Sequence, residues 1–486
     1  MKPAVSSMFA LLAATLHTPA FAGPLSDGER AAIMADVDRG STALARNALQ
    51  IWNYAEVGFQ ETKSSALLQT ELKAAGFKVE SGVAGMPTAF IASFKTGEGP
   101  VIGILAEFDA LPGLSQAALP ERKPQAGLAA GHGCGHNLFG AASVAAAIAT
   151  KHWMTAHDIK GELRLYGAPA EEGGSGKVFL VRAGLTRDVS AMLHWHPGDI
   201  NSAFQGRALA NISGKFRFHG IAAHAAAAPE RGRSALDAVE AMDNMVNMMR
   251  EHVPQETRIH YVITDGGKAP NVVPDTAEVY YYVRYPDQKM AAEIMDRVKK
   301  AADGAALGTG TTVEFDQVGG TFDLLPNDAL GHVMHDNLGR VALPTYTTEE
   351  QGFISKIQST FPAGTRMPGP GVEPYSSGKV TPGSTDVGDV SYTTPTAGIM
   401  AATWVPGTAA HSWQAVAASG ASIGTKGATT AAKTLALTAA ELFQSPDVLA
   451  AAKEELDKRR GPDFVYRSLL GDKAPSLDYR KSKSVD

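Results

Sequence analysis

Four stretches of the chain share one pattern, in which an apolar run of buried-strand length is followed by polar residues and then by a helical pattern. The apolar runs are VIGILA (101–106), LRLYGA (163–168), SAML (190–193) and GIMAATWV (398–405). Continuous apolar strands that alternate with helices predict an α/β fold with a mostly parallel sheet. Sites in such sheets lie beyond the carboxyl ends of the strands, so we expect the polar residues after these runs to lie together.

The hydrophobic pattern changes between about residues 208 and 322. Strand-like segments with polar alternation and two amphipathic helical segments follow one another there in the order βαββαβ, which is the ferredoxin-like arrangement. We interpret the apolar stripe of its first helix as a core face; it consists of Val239, Met242, Met245, Val246 and Met249. This segment therefore indicates a self-contained unit inserted into a larger α/β domain.

The first 22 residues have the pattern of a secretory signal. Lys2 precedes an apolar stretch from Met8 to Leu16, and Ala20-Phe21-Ala22 is a small-x-small cleavage signature. A membrane anchor is the alternative interpretation, but the apolar run is much shorter than the ~20 residues that a membrane span needs. We predict a cleaved signal peptide over residues 1–22 and a periplasmic or secreted protein.

Composition and charge narrow the classes of partner. The chain has 486 residues, 44% of them hydrophobic and 19% charged, which is typical of a globular protein with two or three domains. Its net charge is −6 and it has no basic run, so it lacks the electrostatic footprint of a nucleic-acid-binding protein. We predict a small-molecule substrate and neither a nucleic-acid nor a membrane partner.

The segment GHGCGH (131–136) contains Cys134, the only cysteine of the chain. Cysteines of exported proteins usually pair, but Cys134 has no partner within its own chain. One interpretation is a small buried apolar side chain. The other is a metal site, because Cys134 and His136 stand two residues apart in a glycine-rich turn, and thiolate and imidazole are good ligands for zinc and related ions.

Three other clusters of donor side chains follow predicted strands. They are Glu171 with Glu172, His194 with His196, and His411. Each cluster alone fits a solvated loop or a hydrogen-bonded histidine, but together with the thiol they predict one metal site. Of two adjacent carboxylates, one can bind metal while the other takes a proton from a water activated by that metal. This division of labour predicts hydrolysis of an amide.

At these residues the chain resembles the M20 metallopeptidase and amidohydrolase family. The resemblance rests on motifs that occur in order along nearly the whole chain: AEFDALPGLSQ (106–116), GHGCGHNLFGAA (131–142), APAEEGGSGK (168–177), WHPGD (195–199), GIAAHAAAAPERGRSALDA (220–238), NVVP (271–274), GSTDVGDVS (383–391) and GTAAHSWQ (407–414). It implies a catalytic domain that holds two divalent metal ions, Zn or Mn, and an inserted ferredoxin-like lid that often mediates homodimers.

The resemblance also implies roles for individual residues. The expected metal ligands are Cys134, His136, Glu172, His196 and His411. Glu171 is the expected general base, and Asp109 stands where the family has an aspartate that orients a ligand. Many M20 peptidases have a histidine ligand two residues before that aspartate, where this chain has Glu107. His194 and His196 compete for one ligand role: the WHP motif favours His196, whereas an H-x-x-P pattern favours His194.

Further residues of the inserted unit and of the loop before residue 390 match family positions. The resemblance implies that His224, Asn271 and Arg284 hold the carboxylate of the substrate and polarise its scissile carbonyl. The alternatives are a turn histidine for His224 and a surface arginine for Arg284, although arginine suits bidentate carboxylate binding. Ser384, Thr385 and Asp386 are expected to line the substrate pocket.

These inferences combine into one expected organisation: a signal peptide at 1–22, a catalytic domain at 23–207 and 324–456, a lid or dimerisation domain at 208–323, and a surface tail at 457–486. The expected reaction is cleavage of an N-acyl or aroyl amino acid, with an acyl- or aroyl-glutamate as the substrate that the resemblance favours. An aminopeptidase or dipeptidase on the same scaffold, and a non-catalytic metal- or ligand-binding protein, are the alternatives. The sequence leaves open whether a second subunit takes part beside the expected homodimer.

Overall fold

The structure is a computed structural model that describes residues 25–480, so the predicted signal peptide lies outside the described part of the chain. Between residues 25 and 480, no helix combines the length and the apolar character that crossing a membrane would need.

Helices and strands alternate along the chain, as the hydrophobic pattern predicts. The helices are α1 Asp27–Tyr54, α2 Thr62–Ala74, α3 His136–Ala156, α4 Gly176–Arg182, α5 Ala235–Met249, α6 Gln288–Thr309, α7 Asp328–Arg340, α8 Thr348–Gln358, α9 Val387–Thr393, α10 Trp413–Ser419, α11 Ser422–Phe443 and α12 Pro446–Arg460. The strands are β1 Lys78–Ser81, β2 Phe90–Lys95, β3 Val101–Ala106, β4 Leu111–Pro112, β5 Ala130–Gly131, β6 Glu162–Gly167, β7 Ala191–Gly198, β8 Gln205–Arg207, β9 Ala210–His219, β10 Arg258–Asp265, β11 Thr276–Tyr285, β12 Thr312–Thr321, β13 Ser377–Val380 and β14 Thr396–Ala402.

A six-stranded sheet forms the centre of the larger domain, with strand order β1-β2-β6-β3-β7-β14. The pairs β6–β3, β3–β7 and β7–β14 are parallel, whereas β1 and β2 are antiparallel strands at one edge. Strand β3 is apolar because it lies between two neighbours, and all of its residues from Ile102 to Ala106 are buried. The predicted α/β fold with a mostly parallel sheet is confirmed.

The helices around this sheet carry the residues of its core. Helix α3 packs against α1, α11 and strands β3, β6 and β7, and its many alanines allow this close approach. Helix α1 begins at a capping box, in which Ser26 and Glu29 bind each other's backbone N–H groups. The first residue of α3 is His136, so this packing fixes one of the predicted metal ligands.

Strand β7 is longer than the sequence predicts. It runs from Ala191 to Gly198 and pairs with β14 from Met192 onwards. His194 and His196 therefore lie within the strand, and our prediction that they follow it was wrong. The apolar run ends early because alternate residues of β7 point to opposite faces, which puts both histidines on one face.

Residues 210–321 form the inserted domain. Its antiparallel sheet has the order β10-β11-β9-β12, and α5 and α6 complete the βαββαβ arrangement. The predicted ferredoxin-like arrangement is confirmed.

The predicted apolar stripe of α5 is only partly a core face. Val239, Met242 and Val246 are buried between the helices and the sheet, and Met249 packs against them in part. Met245 is 39% exposed, so its assignment to the core was wrong.

The last part of the described chain is irregular. Helix α12 continues to Arg460, past the predicted tail boundary at residue 457, and its apolar residues Ala452 and Leu456 are buried. Residues 461–480 contain neither helix nor strand and run over both domains.

Candidate metal centre

The predicted donor side chains come together at the carboxyl ends of the parallel strands. Cys134 lies in the turn before α3, and His136 opens that helix. Glu172 follows β6, His196 lies near the end of β7, and His411 follows β14. The strand-end rule for parallel sheets thus correctly predicts that these side chains meet.

The five expected metal ligands form two groups that share the thiol. Cys134 groups with His136 and His196, and it also groups with Glu172 and His411. Within each group the donor atoms lie within 4.8 Å of one another. A thiolate shared by two sets of donors is suited to two neighbouring cations.

His411 reaches the thiol from a strained backbone. Its Nε2 lies 3.0 Å from Cys134 Sγ and 3.7 Å from Glu172 Oε1. Its φ angle of 58° is in the left-handed region, which is uncommon for a residue with a side chain and costs about 1–3 kcal/mol. The backbone N–H of His411 donates to Gly133 O, which ties the strained residue to the turn that carries the cysteine.

Burial raises the pKa of the Cys134 thiol well above its usual range, and the charge of Glu172 adds to this effect. The thiol therefore keeps its proton as long as no cation is near it. A divalent cation reverses this balance, since it favours the thiolate and releases the proton.

Asp109 connects two of the donors. Its Oδ1 lies 2.9 Å from His136 Nδ1, and its Oδ2 accepts a hydrogen bond of 2.9 Å from the backbone N–H of Glu172. Histidines that bind metal usually have their second ring nitrogen held by a carboxylate in this way.

Several buried polar atoms at the centre have no hydrogen-bond partner among residues 25–480. They are His136 Nε2, Glu107 Oε2 and Glu172 Oε1. The first two lie 3.1 Å apart, which is an ion-pair distance, but not in hydrogen-bond geometry. Buried polar atoms are normally paired, so three such atoms at one place indicate that the site is completed by something else. Thiolate and imidazole are suitable ligands for zinc and carboxylates are suitable ligands for manganese, so the residues fit divalent cations.

The charges around His136 also favour a cation. Burial alone would lower the pKa of this imidazole, but the carboxylates of Glu107 and Asp109 outweigh burial and hold it well above its usual range. The surrounding carboxylates thus stabilise positive charge at this position.

The adjacent carboxylates of Glu171 and Glu172 face different neighbours. Glu172 groups with Cys134 and His411, whereas Glu171 groups with Glu107 and His136. Burial, together with the charges of Glu107 and Glu172, holds the pKa of Glu171 well above its usual range. Glu171 is therefore able to hold a proton beside the donor groups.

The two histidines of β7 differ in their surroundings. His196 Nδ1 lies 2.7 Å from Pro197 O, which leaves Nε2 free to bind a cation. Burial, with a contribution from the charge of His136, lowers the pKa of His196 to about 3, so the ring is neutral. Among residues 25–480, His194 belongs to none of the donor groups, and the structure favours His196.

Asp386 is part of a buried ion pair and not of an open pocket wall. Its Oδ1 lies 2.5 Å from Lys177 Nζ, and the same ammonium lies 2.7 Å from Glu107 Oε1. Asp386 is 1% exposed, which differs from its expected place in the substrate pocket. The physical reason is that a buried ammonium needs carboxylate partners.

Of the neighbouring residues, Ser384 has a buried hydroxyl without a hydrogen-bond partner in the described chain, and Thr385 Oγ1 accepts from the Val387 N–H.

Three of the expected substrate-binding residues, His224, Asn271 and Arg284, lie in the inserted domain. His224 is exposed and its Nδ1 accepts from the N–H groups of Ala226 and Ala227, while Asn271 O accepts from the N–H of Ala225. Arg284 lies on β11 with its guanidinium 5.6 Å from the ring centre of Tyr282. No hydrogen bond between described residues joins His224, Asn271 or Arg284 to the donor groups.

The sequence did not predict four residues that contact the centre. Lys177 ends the motif APAEEGGSGK and stands before the apolar residues of helix α4. A lysine at such a position is the signal that could have identified it. Glu61, Tyr479 and Arg480 contact the loop of Glu171 and Glu172, but no local pattern distinguishes them.

Comparison with known proteins establishes the family. The profile of the M20 peptidase dimerisation domain matches residues 210–309, within the inserted domain. One subunit of p-aminobenzoyl-glutamate hydrolase from Escherichia coli (strain K12) is 42% identical over 444 residues, which cover 84% of this chain and 90% of that protein. The chain belongs to the M20 peptidase family. It is accordingly a hydrolase, as the sequence predicts.

Other M20 relatives share most of the chain. The Xaa-Arg dipeptidase of Mus musculus is 29% identical over 86% of this chain and 90% of its own. A dinuclear metal-binding M20 peptidase from Bacillus subtilis has the same fold, with a TM-score of 0.54 at 18% identity over 84% of this chain and 99% of that one. The aminobenzoyl-glutamate utilization protein of Klebsiella pneumoniae gives a TM-score of 0.51 at 18% identity over 71% and 92% of the chains.

Proposed function

We propose that the protein is a metal-dependent amidohydrolase that cleaves N-acyl or aroyl amino acids. The single observation that carries this proposal is the sharing of Cys134 between two donor groups, with Glu171 beside them. Two sets of donors fit two divalent cations, Zn or Mn, held by Cys134, His136, His196, Glu172 and His411.

A cation held there would lower the pKa of a water to about 7 and polarise an amide carbonyl. The residues of the chain supply the proton transfers. A carboxylate oxygen of Glu171 accepts a proton from the attacking water and passes it to the nitrogen of the leaving amine. The position of Glu171, grouped with Glu107 and His136 and adjacent to Glu172, supports this role.

The inserted domain supplies the residues that face the substrate. His224 is proposed to stabilise the oxyanion, and Asn271 and Arg284 to bind the carboxylate of the amino acid. Because no hydrogen bond between described residues joins them to the donor groups, we propose that a closing movement of the inserted domain or a second copy of the chain brings them to the substrate. The exposure of His224 supports such a movement or contact.

The identity with the p-aminobenzoyl-glutamate hydrolase of Escherichia coli favours an acyl- or aroyl-glutamate as substrate. The other polypeptide of that hydrolase also matches, with 26% identity over 310 residues, so a partner polypeptide of this kind belongs to the proposal. We further propose a homodimer formed through the inserted domain, and an exported, periplasmic or secreted protein.

A dipeptidase is the second candidate function, because the Xaa-Arg dipeptidase of Mus musculus matches over most of both chains. A dipeptidase requires a free α-amine on its substrate, whereas the proposed amidohydrolase accepts a blocked one. A non-catalytic binding protein would have no need of Glu171 next to Glu172.

The deciding experiment uses the Glu171→Gln variant and two sets of substrates. We expect the metal-loaded protein to hydrolyse N-acyl or N-aroyl amino acids faster than the matching dipeptides. Glu171→Gln should lower kcat by about 100-fold or more while it keeps its metal content. Full activity of the variant would refute the assigned base, and preference for dipeptides would favour the second candidate.

A further inference from the structure

The irregular segment after α12 leads to the metal centre. Along its path Lys473 O accepts a hydrogen bond of 2.6 Å from Arg182 Nη1, and Leu477 O accepts one of 2.8 Å from Gln60 Nε2. The bond at Leu477 holds the end of the segment next to Tyr479, whereas the bond at Lys473 lies farther from the centre. The following residues therefore arrive at the centre in a defined position.

Tyr479 and Arg480 both bind the backbone carbonyl of Glu172. The hydroxyl of Tyr479 donates at 3.2 Å and Nη2 of Arg480 donates at 2.5 Å. The ring of Tyr479 packs edge-on against Phe59, with centroids 5.8 Å apart. Its hydroxyl also lies over Gly58, where a Cβ atom would clash with it, so only glycine fits beneath it.

The other polar backbone groups of this loop are held from different directions. The N–H of Ala170 donates to Glu61 Oε1 at 2.8 Å, and the N–H of Glu172 donates to Asp109 Oδ2 at 2.9 Å. Ala170 has a φ angle of 57°, in the left-handed region. Such a conformation persists only where its surroundings determine it, and the bonds to Glu172 O are one of these constraints.

The inserted domain meets the same loop at Gly173. A Cβ atom on Gly173 would lie 2.7 Å from the hydroxyl of Tyr282 on β11 and 3.6 Å from Arg480 Nη2. The φ angle of Gly173 is 103°, which also favours glycine. The loop, the inserted domain and the C-terminal segment are thus in contact at one place.

We infer that Tyr479 and Arg480 are positioning residues of the metal centre. They hold the carbonyl of Glu172 and thereby fix the loop. In this position Glu172 faces Cys134, while Glu171 faces Glu107 and His136. Arginine suits this task because a charged donor forms a stronger hydrogen bond to a carbonyl than a neutral one does. The catalytic consequence rests on the proposed function, whereas the ordering of the loop does not.

The test compares Arg480→Ala, Arg480→Lys and Tyr479→Phe with Arg182→Ala in the full chain. Arg182→Ala is the matched control, because it removes an arginine–carbonyl bond of the same segment away from the centre. Hydrogen exchange of the amides at 170–174 is measured in metal-free protein, and the affinity for Zn²⁺ is measured by competition with a chelator.

We expect the amides at 170–174 to exchange about tenfold faster in Arg480→Ala. Its Zn²⁺ affinity should fall by about 10- to 100-fold, the range seen when groups that orient metal ligands are removed. Added guanidinium ion should partly restore the slow exchange and the Zn²⁺ affinity of Arg480→Ala. In both measurements Arg480→Lys should lie between Arg480→Ala and the unchanged protein, and Arg182→Ala should match the unchanged protein. Tyr479→Phe should show a smaller change in the same direction.

Equal exchange at 170–174 and equal Zn²⁺ affinity in Arg480→Ala and Arg182→Ala would overturn the inference. If Arg480→Ala does not fold, Tyr479→Phe decides by the same two measurements, since it removes one hydroxyl only. Absence of amide hydrolysis by the unchanged protein would refute the proposed function, but it would leave the exchange and Zn²⁺ measurements, and hence this inference, intact.

Discussion

Lys177 Nζ lies 2.7 Å from Glu107 Oε1, and both side chains are buried. The same ammonium binds Asp386, so one positive charge is shared by two buried carboxylates. In many M20 peptidases the position of Glu107 holds a histidine that binds metal. Here Lys177 binds Oε1 of Glu107, and Oε2 of Glu107 faces His136.

Lys177→Met should therefore destabilise the protein strongly. The substitution leaves Glu107 and Asp386 buried without their cation, and breaking a buried ion pair in this way costs about 3–5 kcal/mol. Urea unfolding of the metal-free protein measures the loss. Adding Glu107→Gln to the Lys177→Met variant should restore part of the lost free energy of unfolding. The control is Lys160→Met, which breaks the exposed pair with Asp158 and should cost less than about 1 kcal/mol. Equal losses would contradict the buried pair.

The two histidines of β7 provide a matched pair of variants. His196→Gln should lower the stoichiometry or the affinity of bound Zn²⁺, because its Nε2 faces the group of Cys134 and His136. His194→Gln should leave Zn²⁺ binding unchanged, although the substitution alters packing against Gly398. Chelator competition and metal analysis of the purified variants distinguish the two. If His194→Gln lost Zn²⁺ and His196→Gln did not, His194 would be the metal ligand in place of His196.

A buried carboxylate away from the metal centre predicts how stability depends on pH. Burial raises the pKa of Asp389 to about 7, although hydrogen bonds from the Tyr466 hydroxyl and the Phe322 N–H lower it. An unfolded aspartate titrates near pH 4. Between about pH 4 and 7 the folded state thus binds a proton that the unfolded state has lost, so the free energy of unfolding falls as the pH rises.

Asp389→Asn removes this dependence, because asparagine does not titrate. The stability of the unchanged protein relative to the variant should fall by roughly 1.4 kcal/mol per pH unit at most across that window, and level off above about pH 7. Urea unfolding of both proteins from pH 4.5 to 8, with chelator present, measures the difference. Parallel stability curves would show that Asp389 ionises normally.

The sequence predicts the arrangement of the donor groups because the reason is local. Glu172, His196 and His411 follow or end parallel strands, and all parallel strands end at the same edge of the sheet, whereas Cys134 and His136 follow the short antiparallel pair β4–β5. The prediction was less accurate for His194 and His196, because polar residues within β7 look like a loop unless the pairing with β14 is known.

Lys177 and Arg480 show why other parts of the site could not be predicted. Asp386 is 209 residues from Lys177, and Glu172 is 308 residues from Arg480. Neither contact leaves a spacing or a periodic pattern in the sequence. Only the three-dimensional structure relates an arginine in a charged C-terminal segment to a carbonyl beside a metal ligand.

The edge of the inserted domain leads to the last prediction. Within residues 25–480, strand β10 pairs only with β11, and its Val262 is 56% exposed beside Tyr261 and Ile263, which are also exposed. An exposed apolar edge strand is suited to pairing with a second copy of the chain, which supports the proposed homodimer. Val262→Lys places a charge on this edge and should convert a dimer into a monomer in sedimentation velocity. Leu307→Lys, on an exposed face of α6, is the matched control and should remain a dimer. A monomeric unchanged protein would contradict the homodimer, and a dimeric Val262→Lys would place its interface elsewhere.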